Sequence, residues 1–436
     1  MSALLNEFLA RRFTVDRLHF YAVTIISVSL VLMATSFITS EDGQTVFGTR
    51  LGGDFPAFYI AGQIANEHGA NWAYDTDLHF QIYHQMFPKE PQAEALPYVN
   101  PPFLLPVFSV LAQLPYRMAF AIWLLMSATL YFAAIRVTET DCRNIPNHLR
   151  SAAVLLALSF APFIIYCWAW GQLSALGTFF VAMAVYFEKK GKLLLSGCAL
   201  SLCAYKPTLL LVIVPMMLLT KRFRALFGMA VGGAILGLLS FVMIGWRGIV
   251  NYLVLLENFR RWKATANTIF QTWLYVDFQS FFHPFLANYR ALSLVRFASL
   301  GAAVALLLYV WLKVSDSSFV WAITITVSTL VNVYTPIYDC SLLVIPALLV
   351  ADRLYAQGLL PLHFRILMTA LWILPWGSQA LAHWVGIQLY TLVIAVFAFY
   401  LVVHSLNFES CRRSLPVDSL AAAQTAPNAT TGLACN

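Results

Sequence analysis

Long apolar runs and shorter polar intervals alternate along the chain. The first apolar run extends from about His19 to Ile38 and the last from Ile387 to His404. Many of these runs are about 18 to 22 residues long, the length of a helix that crosses a bilayer. They lack the strict alternation of barrel strands, and lipid allows only helices and closed barrels to span it. The pattern predicts an all-α, polytopic integral membrane protein with about 12 transmembrane helices (11 to 13).

The first long polar interval, residues 39–100, is predicted to be a large outward-facing loop. It holds eight of the 20 acidic residues but only two basic ones, and basic residues favour the inner face. Trp72, Tyr74 and further aromatic residues alternate with polar ones, a pattern typical of short amphipathic helices at a membrane surface. A second outward loop is predicted over residues 246–290.

The segment Gly52–Pro56 is predicted to open a helix within the first loop. Its two glycines allow the backbone to turn, and Pro56 suits a first helical turn. Asp54 immediately precedes Phe55, so its side chain is a candidate helix N-cap. Local chemistry alone favours capping, whereas a catalytic role depends on the residues that surround Asp54.

Three further breaks in the apolar pattern are predicted to face outward. Gly171-Gln172 lies between two crossings, and Lys206-Pro207 divides two runs that are each short for a crossing. The third is the turn at 334–339. Before these, the proline-rich stretch 101–114 is predicted to enter the membrane partway, ahead of one full crossing that ends near residue 134.

Composition and charge support a membrane protein and argue against a nucleic-acid partner. The chain is 60% hydrophobic and 11% charged, with a net charge of +7. Its basic residues cluster at the ends of apolar runs, where they orient helices. Arg11, Arg12 and Arg17 predict an inside N-terminus with an uncleaved signal anchor. Residues 1–406 are predicted to form the membrane domain, and 407–436 a disordered cytoplasmic tail.

The cysteines and histidines form no pattern that is typical of a metal site or a disulfide framework. The seven cysteines are scattered without a CxxC pair. His79 and His84 are five residues apart, whereas two ligands on one helix face are four apart. We expect no metal site and no cofactor.

Separate outward loops bring several polar residues to one membrane face under this topology. A lysine deep in a membrane costs about 2.5 to 3.5 kcal/mol unless it snorkels or pairs, so Lys206 predicts either snorkelling or a nearby anion. Asp339 could instead cap the helix that follows it, and Gln172 could be an ordinary loop residue. The residues on this face are Asp54, Asn100, Gln172, Lys206, Arg260, Arg261 and Asp339.

A carboxylate and several cations beside apolar segments suit transfer of a group from a lipid phosphate to a hydroxyl. Asp54 would take the hydroxyl proton, while Lys206, Arg260 and Arg261 would bind the donor phosphate. The alternatives are a multi-pass lipid or small-solute transporter and an inert assembly partner. A transporter is expected to place charged groups in broken helices near the bilayer midplane.

At these residues the chain resembles the polytopic glycosyltransferases of family 87. This family has the C-type glycosyltransferase fold and includes polyprenol-phosphate-mannose-dependent mannosyltransferases. The resemblance rests on five short segments in the expected order: Gly53–Tyr59, Tyr98–Phe103, Gly171-Gln172, Lys206-Pro207 and Thr335–Asp339.

The resemblance implies a polyprenyl-phosphate sugar as donor, not a nucleotide sugar, with mannose the best-known case. The hexose would pass to a glycan or glycolipid acceptor with inversion, at an outward-facing site of a bacterial inner membrane. The resemblance also implies Asp54 as the general base. The expected substrate-binding residues are Tyr59, Asn100, Gln172, Tyr338 and Asp339.

Overall fold

A computed structural model describes residues 14–41, 43–88, 96–265, 272–286, 289–358 and 360–414. These residues form helices and a few isolated backbone bridges, with no strand among them. The predicted all-α class is therefore confirmed. Arg11 and Arg12, which predict the inside N-terminus, lie outside the described residues.

The helices follow one another with short connections over most of the chain. They are α1 Val15–Thr39, α2 Phe55–Glu67, α3 Thr76–Met86, α4 Leu105–Leu111, α5 Tyr116–Glu139, α6 Asn147–Leu158, α7 Ala161–Phe163, α8 Ser174–Lys189, α9 Leu193–Ser201, α10 Ile213–Leu219, α11 Phe223–Thr265, α12 Phe278–Phe282, α13 Tyr289–Lys313, α14 Ser317–Val331, α15 Val344–Tyr355, α16 Leu362–Val385 and α17 Tyr390–Ser414. A π-helical stretch, Ile164–Ala169, continues α7. The 3-10 segments are Ala70–Trp72, Pro102–Leu104, Leu202–Tyr205, Pro207–Leu210, Thr272–Leu274, His283–Phe285 and Ile337–Leu343.

Six stretches of helix within the described residues are long and apolar enough to cross a membrane. The prediction of about 12 crossings is therefore not confirmed. Four further apolar helices among the described residues are shorter than these six. Pro102–Leu111, Leu193–Tyr205, Pro207–Leu219 and Ser317–Val331 are of this kind.

Helix α11 covers the start of the predicted second outward loop, 246–290. Its apolar stretch, Phe223–Arg261, has 39 residues, which is about 58 Å of helix against about 30 Å of hydrocarbon. The backbone of Gly245 is non-helical, with φ 61° and ψ −177°, so the helix axis changes direction there. The part after Gly245 then packs on the first outward loop, where the Arg247 guanidinium lies 5.3 Å from the centre of the Trp72 ring. The loop therefore begins as helix.

Two other boundaries also bear on the predictions. The proline-rich stretch forms the 3-10 segment Pro102–Leu104 and the short helix α4, and only then does the full-length helix α5 follow. A short apolar helix thus precedes a full-length one, as the sequence predicts. Helix α17 continues to Ser414, past the predicted start of the tail at residue 407. The remainder of the tail lies outside the described residues.

An aromatic cluster fixes the first outward loop against the membrane helices. The ring centres of Phe58 and Phe108 are 5.0 Å apart, and those of Phe108 and Trp123 are 5.3 Å apart. Such pairs contribute about 0.5–1.5 kcal/mol each beyond their burial. Gly62 lets α2 approach α4 closely, because a Cβ there would lie 2.2 Å from the Phe108 carbonyl oxygen. These contacts hold helix α2 against α4 and α5.

Candidate active site

Asp54 lies at the end of a turn, and its side chain does not cap the helix that follows. Helix α2 begins at Phe55, as predicted, with Asp54 just before it. The Asp54 carboxylate makes no cap hydrogen bond to the described backbone of the first helical turn. The capping interpretation is therefore wrong. Instead, the backbone N–H of Asp54 donates to the Trp170 carbonyl oxygen at 3.0 Å.

The Asp54 carboxylate is held by side chains from two other places in the chain. Gln172 Nε2 donates a short hydrogen bond to Oδ2 of Asp54. Arg50 Nη2 lies 3.9 Å from Oδ1, and Arg50 Nη1 donates to the Tyr83 hydroxyl at 2.6 Å. With 24% of its side chain exposed, Asp54 combines fixed partners with access to a second reactant.

Two glycine-containing turns pack together to produce this geometry. Gly53 has φ 54° and Gly171 has φ 67°, the left-handed region that favours glycine. A Cβ at Gly53 would lie 2.8 Å from the Trp170 carbonyl oxygen, and one at Gly171 would lie 2.7 Å from Cβ of Phe55. Trp123 Nε1 donates to the Gly171 carbonyl oxygen at 2.9 Å and so fixes the turn that contains Gly171. The close approach carries Gln172 to Asp54.

Lys206 and Asp339 form an ion pair at the two helix breaks that the sequence predicts. Lys206 is non-helical (φ −136°, ψ 83°), and its Nζ contacts Oδ2 of Asp339. Ser174 Oγ donates to the other carboxylate oxygen at 2.6 Å. Asp339 is 2% exposed and Lys206 23% exposed. Asp339 is therefore the anion expected near Lys206, and its carboxylate binds side chains rather than capping the following helix.

The segment from Gln172 to Ser174 joins the two polar groups. Gln172 contacts Asp54, and two residues later Ser174 contacts Asp339. Tyr338 lies on the same side, since Nζ of Lys206 is 5.1 Å from the centre of its ring. Residues from four separate breaks in the chain thus form one connected polar site.

The family model of glycosyltransferase family 87 matches residues 98–346 of the chain. This match covers more than half of the chain. The chain belongs to glycosyltransferase family 87. The resemblance noted from the short segments is confirmed, and membership identifies a membrane glycosyltransferase. No curated protein and no solved structure matches the chain.

The matched region of this family 87 glycosyltransferase contains Gln172, Lys206 and Asp339 but begins after Asp54. The role of Asp54 therefore rests on its own geometry. Its contact with Gln172 links it to the matched region.

Within the predicted second outward loop, the glycosyltransferase has a buried carboxylate, Asp277, that sequence reasoning did not identify as part of the site. Asp277 is fully buried, and its Oδ2 accepts a hydrogen bond from the Thr335 backbone N–H at 2.9 Å. Burial raises the pKa of Asp277 to about 6. Burial also raises the pKa of Tyr275, with smaller contributions from Asp277, Tyr334 and Asp54. In the sequence, the position of Asp277 just before Phe278 predicts a helix N-cap. It does not predict the contact with Thr335.

Other predicted site residues lie apart from the polar site in their described contacts. The Tyr59 hydroxyl donates to the Leu114 carbonyl oxygen at 2.8 Å, and its ring packs edge-on against Tyr116. The carbonyl oxygen of Asn100 accepts from the Tyr74 hydroxyl at 2.9 Å. These contacts show Tyr59 and Asn100 fixing the first outward loop.

Arg260 and Arg261 project from the second part of α11. Both donate to the Glu257 carboxylate at 2.7 Å, and their side chains are 70% and 71% exposed. Because residues three and four apart share a helix face, this pairing is local. The described contacts do not join the two arginines to Asp54 or Asp339.

His79 is buried in α3, and its Nε2–H donates to the Leu96 carbonyl oxygen at 3.0 Å. Burial lowers the pKa of His79 to about 4, although the bond to Leu96 acts in the opposite direction. Within the described ranges, no three His, Cys, Asp or Glu side chains converge to hold a metal ion. The expectation of a metal-independent site stays a prediction.

Proposed function

We propose that this membrane glycosyltransferase transfers a hexose from a polyprenyl-phosphate carrier to a hydroxyl of a glycan or glycolipid acceptor. Mannose is the first sugar to test, and the outer face of a bacterial inner membrane is the proposed location. The observation that carries the proposal is the Asp54 carboxylate. It is partly exposed, bound by Gln172, and not used to cap the helix that it precedes.

Asp54 acts as the general base in this proposal. Its carboxylate removes the proton from the acceptor hydroxyl as that oxygen attacks the anomeric carbon. A new C–O bond forms while the bond from the anomeric carbon to the phosphate oxygen breaks, and polyprenyl phosphate leaves with the electron pair. Attack from the face opposite the leaving group inverts the anomeric centre. Gln172 and Arg50 keep the carboxylate oriented.

Lys206 binds the donor phosphate in this proposal. Its side chain is 23% exposed although its ammonium pairs with Asp339, so a second anion has access to it. Positive charge beside the leaving phosphate favours departure, because negative charge develops there in the transition state. Tyr338 and Asp339 hold the lysine in place from one side. Arg260 and Arg261, on the exposed end of α11, provide a second cationic position for the lipid phosphate.

Purified enzyme in lipid nanodiscs tests the proposal directly. A panel of polyprenyl-phospho-sugars is offered with candidate acceptors, and released polyprenyl phosphate is measured together with the glycosylated product. We expect turnover with one donor and its loss in Asp54→Asn. If no donor binds or turns over across a broad acceptor panel, the proposed donor class is wrong.

A transport function is the second candidate, because the Lys206–Asp339 pair lies at breaks between short apolar helices, as ion and substrate sites do in transporters. Sealed liposomes containing the protein separate the two. Transferase activity yields a new glycosidic product on one side. Movement of the intact lipid or solute without covalent change supports transport.

A further inference from the structure

The second outward segment is attached to the polar site by a compact set of hydrogen bonds centred on Asp277. Oδ1 of Asp277 accepts from the Ser280 backbone N–H at 2.9 Å, and Oδ2 accepts from the Ser280 hydroxyl at 3.0 Å. Oδ2 also accepts from the Thr335 backbone N–H at 2.9 Å, across 58 positions of the chain. One buried carboxylate thus serves both as a helix cap and as a bond between two outward segments.

The backbone next to Asp277 continues this attachment. The Val276 N–H donates to the Thr335 carbonyl oxygen at 2.8 Å. Tyr275 and Pro336 form an antiparallel bridge. On its other side the segment is fixed by Gln388, whose Nε2 donates to the Trp273 carbonyl oxygen at 2.8 Å. The position of Tyr275 is therefore determined from both ends.

Tyr334 shows that this junction holds a strained conformation. Its φ is 52°, which is uncommon for a residue with a side chain, and its ring centre lies 5.5 Å from that of Tyr275. Such strain persists only where the surroundings over-determine it, and it concentrates at functional sites. The strained residue directly precedes Thr335, which Asp277 binds. Four residues further on, Asp339 pairs with Lys206.

We propose that Asp277 is a positioning residue for the transfer reaction: its carboxylate ties the segment of Tyr275 and Val276 to Thr335 and so fixes the turn that carries Tyr338 and Asp339 at the polar site. This inference rests on the proposed function of Asp54. Asp277 itself touches no substrate, because it is fully buried. Tyr275 packs against Tyr334, at the start of the turn that carries Asp339. Without the Asp277 carboxylate, this turn loses its attachment to the segment of Tyr275 and Val276.

Asp277→Asn is the informative variant. Asn can accept the Ser280 N–H with its oxygen, but its NH₂ group then faces the Thr335 N–H, so the bond between the segments is lost. We expect transfer at saturating donor to fall by roughly 10-fold, as for removal of a hydrogen bond to an ionised group.

Asp316→Asn is the matched control. Asp316 caps α14 by accepting from the Ser318 N–H at 2.8 Å and pairs with Arg353 at 2.8 Å. It lies at the end of α14 away from Thr335, about 22 Å along the helix axis. Asp316→Asn therefore reports what the loss of a buried capping carboxylate does through folding alone.

A double-mutant cycle with Asp54→Asn separates positioning from folding. If Asp277 acts through the site of Asp54, Asp277→Asn should reduce the residual activity of Asp54→Asn far less than it reduces that of the native enzyme. Asp316→Asn should reduce both by the same factor. Equal factors for Asp277→Asn in the two backgrounds would overturn the positioning role.

The proposed function fails separately from this inference. Near-native turnover by Asp54→Asn would show that Asp54 is not the general base. If Asp54→Asn is slow but Asp277→Asn reduces activity by the same factor in both backgrounds, only the positioning role of Asp277 is wrong. If Asp277→Asn does not fold, Ser280→Ala replaces it, because this variant removes one hydroxyl donor and leaves the Thr335 bond. It should show the same non-additivity at smaller amplitude, and strict additivity would count against the inference.

Discussion

Gln172 Nε2 donates a hydrogen bond to Oδ2 of Asp54 across 118 positions of the chain. This bond joins the first outward loop to the region that identifies the family. Gln172 is buried, while the Asp54 side chain keeps 24% of its surface exposed. The amide therefore orients the carboxylate and leaves one side of it accessible to a hydroxyl.

Gln172→Leu should slow transfer while leaving the fold intact. Leu fills a similar volume but cannot donate, and a hydrogen bond to a charged group contributes about 1.5–3 kcal/mol, or roughly 10- to 100-fold in rate. Gln63→Leu is the control, because Gln63 donates only to the exposed Glu67 on its own helix. Steady-state transfer rates of the two variants test this. Equal rates would show that the amide does not orient Asp54.

Gly53→Ala and Gly171→Ala should each destabilise the enzyme and reduce transfer. Both positions combine a positive φ with backbone or Cβ atoms within 3 Å of the added carbon. Strain alone costs about 1–2 kcal/mol. Gly48→Ala is matched to them, since Gly48 also has positive φ but has nothing within 4 Å of an added Cβ. Thermal unfolding and activity should show a smaller loss in Gly48→Ala, and an equal loss would exclude close packing as the cause.

These turns show which parts of the fold the sequence can reveal. Glycine and proline mark places where a helix must start or break, so the start at Phe55 and the breaks at Gly171 and Lys206 follow from local chemistry. The course of α11 past Gly245 does not, because a glycine shows that direction changes but not that helix resumes.

The partners of the charged residues depend on contacts between distant segments. Lys206 predicts an anion nearby, but 133 positions separate it from Asp339. The same holds for Asp277, whose neighbours predict a cap while its bond to Thr335 depends on the tertiary fold. Arg260 and Arg261 show the converse: their contact with Glu257 is local, yet their basic charge in an outward interval suggested a distant partner.

The Lys206–Asp339 pair predicts that single and double variants will separate stability from donor binding. Lys206→Met leaves the buried Asp339 carboxylate without its cation and should destabilise by about 2 kcal/mol. This is below the ~3–5 kcal/mol of a fully buried pair, because Lys206 is 23% exposed. The double variant Lys206→Met/Asp339→Asn should regain most of that stability.

Donor affinity should behave differently in the same variants. Equilibrium binding of polyprenyl phosphate should stay weak in both Lys206→Met and the double variant, and should be less weakened in Asp339→Asn, which keeps the lysine. Recovery of affinity in the double variant would assign Lys206 a structural role only.

His79 predicts a pH dependence of stability in the first outward loop. Its pKa is lowered by burial from 6.5 to about 4. Between these values the unfolded chain binds a proton that the folded chain does not. The contribution is therefore present above pH 6.5 and is lost as the pH falls towards 4, by up to ~3 kcal/mol.

His79→Gln should remove this dependence, because Gln stays neutral and can still donate to the Leu96 carbonyl oxygen. His84→Gln, on the same helix but only half-buried, is the control. Thermal unfolding at pH 7.5 and pH 5 should show a smaller difference for His79→Gln than for the native enzyme. An unchanged difference would show that His79 does not titrate as a buried group.

Asp54→Asn is the most direct test of the account. Asn retains the shape of Asp and an oxygen that can accept from Gln172, but it is not a general base at neutral pH. Transfer should fall by roughly 10²- to 10⁴-fold, the usual contribution of positioned proton transfer. Donor affinity and thermal stability should stay near native, since the carboxylate caps no helix. Single-turnover transfer with saturating donor measures the step itself, and a near-native rate in Asp54→Asn would contradict the assignment of Asp54 as the base.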